Sequence, residues 1–352
     1  AKEAHDYVVR MRRDFHKHPE TGFAEIRTSG VIAEGLKQMG LQVQTDIAKT
    51  GVVATLQVDG ASSTVAFRAD MDALPITEEN DLEFKSQNEG VSHACGHDAN
   101  MAMLLGAAKL MVQLKDKLKR QIKFIFQPCE EPLPGGGKLM VEQGVLKDVN
   151  ESYGLHIDPN ILSGTFGVRA GATMAATDRI VITIIGKGGH ASTPHLCVDP
   201  IVIAAEVILA IQTITSRKVN PLSPCVVSLC QISGGTTFNV IPDKVKIVGT
   251  VRTLSRELRD KMPILLEETI RGITSLNNAT YQFEYLKGHP PLNNPQAQVD
   301  FIHDKIIALF GAESVEHIDP KMGGEDFSYY LEKIPGAYVF LGKKKKKKGV
   351  NQ

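Results

Sequence analysis

The hexapeptide His93-Ala94-Cys95-Gly96-His97-Asp98 sets a thiol and an imidazole two positions apart, with a glycine between them. In an extended segment, positions i and i+2 face the same side, so Cys95 and His97 can reach one metal centre. A thiolate beside an imidazole suits zinc or a similarly borderline-soft cation. Asp98 follows at once, and an apolar helical run begins just behind it, which places the pair at a loop-to-helix junction. Two further stretches carry compatible chemistry. Gln127-Pro128-Cys129-Glu130-Glu131-Pro132 sets adjacent carboxylates after an apolar strand and ahead of Gly135-Gly136-Gly137. Successive residues of an irregular segment project in different directions, so one carboxylate can bind metal while its neighbour faces water. Gly154-Leu155-His156 ends an apolar strand in a lone histidine. Each stretch also has an ordinary reading. A cysteine near a histidine is often a small buried hydrophobe, paired carboxylates are usually solvated, and His156 alone reads equally well as a core histidine. Together, Cys95, His97, Glu131 and His156 offer four metal ligands, and Glu130 offers a general base. Such a set suits two divalent ions about 3.5–4 Å apart, which polarise a carbonyl and generate hydroxide at neutral pH. Glu130 would then carry the proton to the leaving amine.

The elements that must position these residues alternate between strand and helix. Apolar spacing predicts a helical segment from Ala4 to Met39, broken near Pro19 and Gly22 and ended at Gly40. Strands follow at 52–58 and 64–68, a helix at 101–114, a strand at 122–126, a helix at 138–143 and a strand at 153–157. This pattern implies an α/β domain whose sheet is flanked by helices. Asp70, Asp72, Glu130, Glu131 and His156 fall at or just past strand ends, where open α/β sheets bind ligands. From about Thr177 the order changes to β-α-β-β-α-β: strand 179–185, helix 200–215, strands 225–232 and 244–253, helix 257–274 and strand 280–285. That is the order of a ferredoxin-like domain. Helix 299–310 and strand 337–341 then resume the first pattern, so residues 177–286 read as an insertion within a domain built from 1–176 and 287–352.

Composition narrows the function class. The 352 residues carry 40 basic and 40 acidic side chains, a balance that gives no reason to expect nucleic acid or an acidic membrane surface as partner. No apolar stretch reaches the roughly 18 residues of a membrane span. Five cysteines scattered at 95, 129, 197, 225 and 230 do not form a disulfide framework, which points to a reducing compartment, the cytoplasm. The chain opens Ala1-Lys2-Glu3-Ala4, without a Met or an apolar signal core, so residues upstream are expected. The run Lys343–Lys348 is read as a solvated basic tract.

The matching stretches extend well beyond the metal residues. They are Arg68-Ala69-Asp70-Met71-Asp72-Ala73-Leu74-Pro75, His93 to Asp98, Gln127 to Glu131, Gly154-Leu155-His156, Gly186-Lys187-Gly188-Gly189-His190-Ala191, Asn239-Val240-Ile241-Pro242, Gly249-Thr250-Val251-Arg252 and Gly323-Gly324-Glu325-Asp326-Phe327. In this order and number they resemble the M20 metallopeptidase family, in its branch of N-acyl-amino-acid amidohydrolases, hippurate hydrolases, thermostable carboxypeptidases and auxin-conjugate hydrolases. The resemblance implies a catalytic domain with a mixed sheet and an inserted ferredoxin-like lid that also dimerises the chain. It implies two divalent metal ions per subunit, zinc first, with manganese, cobalt or nickel as alternatives. Cys95 would bridge the metals, with His97, Glu131 and His156 as further ligands and Glu130 as catalytic base. Asp72 would orient a ligand, leaving Asp70 a structural role. His190 would stabilise the oxyanion in the neighbouring subunit's site, and Asn239 and Arg252 would hold the substrate carbonyl and α-carboxylate. An arginine fork suits a carboxylate, and a donor beside a developing oxyanion lowers the barrier. By residue type alone, His190 could equally cap the helix that follows, and Arg252 could pair on its own strand.

The expected activity is hydrolysis of the amide bond of N-acyl amino acids or small peptides with a free carboxylate, in a homodimer or higher homo-oligomer. The alternatives are a non-catalytic dimeric scaffold of the same fold, or a dipeptidase or carboxypeptidase of the family. The resemblance also implies a last histidine ligand after strand 337–341. No histidine follows His317, so that ligand is expected beyond Gln352, with its loss as the other possibility.

Overall fold

The computed structural model describes residues 4–344; Lys345–Lys348, most of the lysine run, lie outside the described residues, as does the last histidine expected beyond Gln352. The chain divides into two units. One comprises Ala1–Gly171, Asn293–Asp319 and Asp326–Gln352, the other Ala172–Leu292 and Pro320–Glu325. The second unit thus extends a few residues past the expected 177–286 on both sides. Its flanks are tied in by hydrogen bonds: Gly288 N–H donates to Asp178 Oδ1 and His289 N–H to Thr177 Oγ1.

In the larger unit the strands lie in the order Gln42–Ile47, Gly51–Leu56, Gln121–Gln127, Thr64–Asp70, Glu151–Leu162, Gly336–Lys344, Phe166–Val168 and Val315–His317. Thr64–Asp70 pairs in parallel with Gln121–Gln127 and Glu151–Leu162, which in turn pairs in parallel with Gly336–Lys344. Gly51–Leu56 runs antiparallel to Gln121–Gln127, so the sheet is mixed. The inner strands are near-continuous apolar runs buried on both faces, as strands sandwiched between helices must be. Phe15, Ile32, Leu36, Met101, Leu105, Phe124 and Phe126 belong to a single core beneath helices His5–Lys17, Ile26–Gln38 and His97–Gln113. Helix Gln296–Phe310 contributes Val299 and Ile306 to a smaller cluster with Val168 and Val339. Edge strand Gln42–Ile47 escaped the sequence reading because it is largely polar and exposed. The strand ends then set the site. Asp70 pairs in register with Gln127 and Arg68 with Gly154, so the residues just past these ends converge.

The smaller unit is a four-stranded antiparallel sheet in the order Cys225–Gly234, Lys244–Thr253, Ala176–Ile185, Thr280–Lys287. Its two helices, Pro200–Thr213 and Arg256–Leu276, complete the ferredoxin-like β-α-β-β-α-β order. Ile180, Ile182 and Ile184 with Val245, Ile247 and Val251 join Ile203, Val207, Ile211, Met262, Leu266 and Ile270 in one core, the period-2 pattern of a sheet covered on one face. Both helices begin with a side-chain cap, Asp199 accepting from Ile201 N–H and Ser255 from Leu258 N–H. The helical stretch Pro200–Lys218 has the length and apolarity of a membrane span. Its inner residues Ile203, Val207, Ile211 and Ile214 are nevertheless core residues of this unit.

Candidate metal centre and active site

Gly96 lies in the left-handed region at φ 98° and caps helix His97–Gln113, which starts at His97, four residues before the expected Met101. The Cys95–His97 pair is therefore not an extended segment. A left-handed turn, which glycine makes at no steric cost, swings Cys95 back over the helix start. A Cβ at position 96 would lie 2.3 Å from Ile157 Cδ1, so a side chain has no room there.

Ligand atoms of Cys95, His97 and His156 lie within 4.8 Å of one another, and so do those of His97, Glu130 and Glu131. His97 belongs to both groups, so the five residues share one centre. Both adjacent carboxylates reach it, where the sequence reading had them diverge. Cys95 Sγ stands 3.3 Å from His156 Nε2, and the His97 and His156 rings meet edge to face with centroids 5.4 Å apart. Each imidazole is locked through Nδ1 by a backbone carbonyl: His97 donates to Asp72 O at 2.8 Å and His156 to Ile157 O at 2.7 Å. A carbonyl only accepts, so both rings carry their proton on Nδ1 and present a basic Nε2, the arrangement that supports a metal-bound histidine. His97 Nε2 and Glu131 Oε1 are buried without a hydrogen-bond partner among the described residues. Buried polar atoms are rarely left so, and soft and hard donors converging with unused lone pairs fit a divalent cation.

The electrostatics agree. Burial opposes ionisation of Cys95, but the His156 hydrogen bond and nearby His97 outweigh it and hold the thiol below its ordinary value. Burial works against the charge on His97 too, yet Asp70, Asp72 and Cys95 raise it well above the usual imidazole value. His156 is raised despite burial by Cys95 and Asp70. The raised imidazoles and the lowered thiol reflect negative charge gathered around His97 and His156, where a cation would sit. Cys129 is the contrast: burial, with Asp72 and Glu25 nearby, pushes its thiol up to about 12.

Two aspartates frame the centre. Asp72 accepts the backbone N–H of Glu130 at 2.9 Å and of Glu131 at 3.1 Å, while its main-chain carbonyl holds His97. It thus orients a candidate ligand and the candidate base together. Asp70, expected in a structural role, has its Oδ2 3.7 Å from His97 Nε2 and is bound by Arg68 and Asn100. Burial raises its carboxyl, but His97 and Arg68 prevail and hold it well below the usual range. Three supports were not singled out by type and spacing. Asp326 accepts from Gln127, Arg68 and Gly137. Glu25 accepts from Cys129 N–H and Thr50. His16 bonds Asp98 at 2.8 Å and Glu78 at 3.0 Å, with Arg12 also donating to Asp98. Their partners lie far off in sequence, so no local pattern marks them.

In the smaller unit, strand Gly189–His190 pairs with Val240–Ile241, and Ala191 N–H donates to Asn239 O, which makes His190 and Asn239 neighbours. Ser192 N–H donates to His190 Nδ1, so in the neutral ring the proton sits on the exposed Nε2 as a donor. Thr237 donates to Asn239 Oδ1. Arg252 is not brought to this pair. It pairs in register with Thr177, whereas the turn leading to His190 leaves the sheet beyond Ile185, the partner of Lys244. Lys244 and Arg252 lie eight residue steps apart along the strand, about 26 Å at ~3.3 Å per residue. The Arg252 guanidinium is half-buried and has no hydrogen-bond or salt-bridge partner among the described residues. Burial lowers its pKa despite Asp178.

Comparison with known proteins gives a consistent picture. Residues 66–351 match the peptidase family M20/M25/M40. The chain is 40% identical over 353 residues to thermostable carboxypeptidase 2 of Saccharolobus solfataricus, covering 99% of this chain and 88% of that protein. It is 45% identical over 287 residues to the N-acyl-L-amino acid amidohydrolase of Geobacillus stearothermophilus, covering 82% of this chain and 78% of that protein. Among solved structures it superposes with a TM-score of 0.86, at 35% identity and over 97% of this chain and 90% of the other, on the Bacillus subtilis YXEP protein, a dinuclear metal binding peptidase from the M20 family. The chain belongs to peptidase family M20/M25/M40.

Proposed function

We propose that this M20 hydrolase cleaves the amide bond of N-acyl amino acids and small peptides that carry a free α-carboxylate. The observation that carries the reading is the single centre formed by Cys95, His97, His156, Glu130 and Glu131, in which buried donor atoms are left without partners. The names of the amidohydrolase and carboxypeptidase relatives support this substrate class.

Cys95, His97, Glu131 and His156 would hold a pair of divalent cations, which supply Lewis-acid polarisation of the scissile carbonyl and a more acidic attacking water. Thiolate and imidazole donors favour zinc over manganese, cobalt or nickel. Glu130 takes the proton of the attacking water and passes it to the leaving nitrogen. Asp72 keeps Glu130, Glu131 and His97 in one geometry through its three hydrogen bonds. Arg252, half-buried and unpaired, is the clamp for the substrate carboxylate. His190 and Asn239 form a donor pair for the oxyanion. That pair lies in a separate two-stranded sheet reached beyond the Ile185–Lys244 end, whereas Arg252 lies at the other end of the four-stranded sheet, which supports service to two different sites in a homodimer.

Strand Cys225–Gly234 is an unpaired sheet edge, and Ile201, Val202 and Leu209 expose an apolar stripe on the adjacent helix. This supports self-association through the smaller unit. All five cysteines are free, and a functional thiolate at Cys95 suits the reducing cytoplasm.

The test is release of free amino acid from hippurate and N-acetyl amino acids, with and without a chelator, beside a panel of dipeptides. Metal-dependent release from the acyl substrates is expected. Turnover of dipeptides alone would select the dipeptidase reading, and no turnover with full metal occupancy would leave the scaffold.

A further inference from the structure

The segment that carries Glu130 and Glu131 is gripped by buried carboxylates from three distant parts of the chain. Asp326 holds Gln127, Asp72 holds the N–H groups of Glu130 and Glu131, and Glu25 accepts Cys129 N–H at 2.8 Å. Cys129 lies between them at φ 52°, in the left-handed region that residues with side chains seldom occupy. Such a conformation persists only where the surroundings over-determine it. Here they do. Cys129 O accepts from Gly136 N–H at 2.7 Å, and the Sγ lies so close to Gly22 that a Cβ there would sit 2.7 Å away. Glu25 is fully buried and sits just before helix Ile26–Gln38, yet its side chain does not cap that helix. Glu20 does so, accepting from Arg27 N–H and Thr28 N–H. The Glu25 carboxylate is instead turned inward, one oxygen on Cys129 N–H and the other held by the Thr50 hydroxyl at 2.6 Å.

We propose that Glu25 is a positioning residue for the hydrolysis: by holding Cys129 left-handed it sets the direction in which Glu130 and Glu131 leave the backbone. Without that bond, Cys129 relaxes toward the ordinary region, and the two following carboxylates rotate relative to Asp72 and His97. This inference rests on the assignment of Glu130 as base, and an ångström-scale misplacement of such a group costs about 100-fold in rate.

The experiment compares Glu25→Ala and Glu25→Gln in the metal-loaded enzyme, using an N-acetyl amino acid. Glu25→Ala is expected to lower kcat about 100-fold with KM within about twofold when assayed at saturating metal. Glu25→Gln, whose amide oxygen still accepts the Cys129 N–H, should stay within about tenfold of wild-type. Amide hydrogen exchange at 129–131 should rise in the alanine variant while helix Ile26–Gln38 keeps its protection. Near-normal kcat in Glu25→Ala, equal losses in both variants, or exchange that rises throughout the helix would overturn the proposal. If the alanine variant does not fold, Thr50→Val loosens only the outer Glu25 oxygen. It should give a smaller fall in kcat at constant KM, and no fall would count against the idea. The exchange readout also separates the two hypotheses. Wild-type protein without amide hydrolysis would refute the proposed function, while unchanged exchange at 129–131 in Glu25→Ala would refute the positioning role.

Discussion

His97 donates its Nδ1 proton to the backbone carbonyl of Asp72, 2.8 Å away, while the Asp72 carboxylate accepts the N–H groups of Glu130 and Glu131. A single residue thus fixes the ring orientation of a metal ligand and the backbone that presents the general base. Replacing Asp72 with Ala should weaken metal binding and lower kcat, each by about 10–100-fold. Asp72→Asn keeps an acceptor oxygen and should lose less. Metal titration by calorimetry alongside steady-state kinetics checks both, and equal effects of the two variants would argue against the orienting role.

Glu130→Gln removes the proton carrier and little else, since the amide keeps the size and the backbone bond to Asp72. Metal content and thermal stability should stay at wild-type, while kcat falls by at least about 100-fold. Turnover close to wild-type in this variant would assign proton transfer to another group.

Cys95→Ser keeps the shape but loses a soft thiolate that the two histidines hold below its usual pKa. Its affinity for zinc should fall, and the metal-induced rise in Tm should shrink accordingly. Cys129→Ser should leave zinc affinity intact, since burial keeps that thiol protonated to about pH 12. Equal zinc binding by Cys95→Ser and wild-type would remove Cys95 from the centre.

His190→Ala should lower kcat without lowering Tm, because the side chain is exposed and, among the described residues, bonds only its neighbour Ser192. If His190 serves the partner's site, mixing His190→Ala with Glu130→Gln should recover about a quarter of wild-type activity. In that mixture half of the dimers are mixed, and each has one intact site. No recovery after subunit exchange would place His190 in its own subunit's site.

The His16–Asp98 bond makes stability depend on pH. The Asp98 hydrogen bond raises the His16 pKa, burial opposes the rise, and Glu78 adds to it. With its folded pKa above the ordinary 6.5, charged His16 contributes stability that is fully present below about 6.5 and lost as pH climbs through the folded value. His16→Gln should flatten the decline of Tm on the alkaline side relative to wild-type in metal-loaded protein. Parallel Tm profiles above pH 6.5 would show that the pair is not coupled to folding.

Local chemistry alone determined much of this protein. Apolar periodicity set the alternating elements and the ferredoxin-like insertion, because burying a face imposes period 2 on strands and 3.6 on helices. Residue type marked Cys95, His97, Glu130, Glu131 and His156, because few other side chains carry a lone pair for a metal or a proton. Only the tertiary structure decided how these are held. The left-handed Gly96, which brings Cys95 and His97 together, is required by Ile157, some sixty residues away. Asp70 approaches the free nitrogen of His97 only because helix His97–Gln113 packs against strand Thr64–Asp70. Glu25, Asp326 and His16 act through partners far away in sequence, and a hydrogen bond between distant residues leaves no local periodicity. The separation of Arg252 from His190 is likewise a matter of strand register, which the fold alone sets.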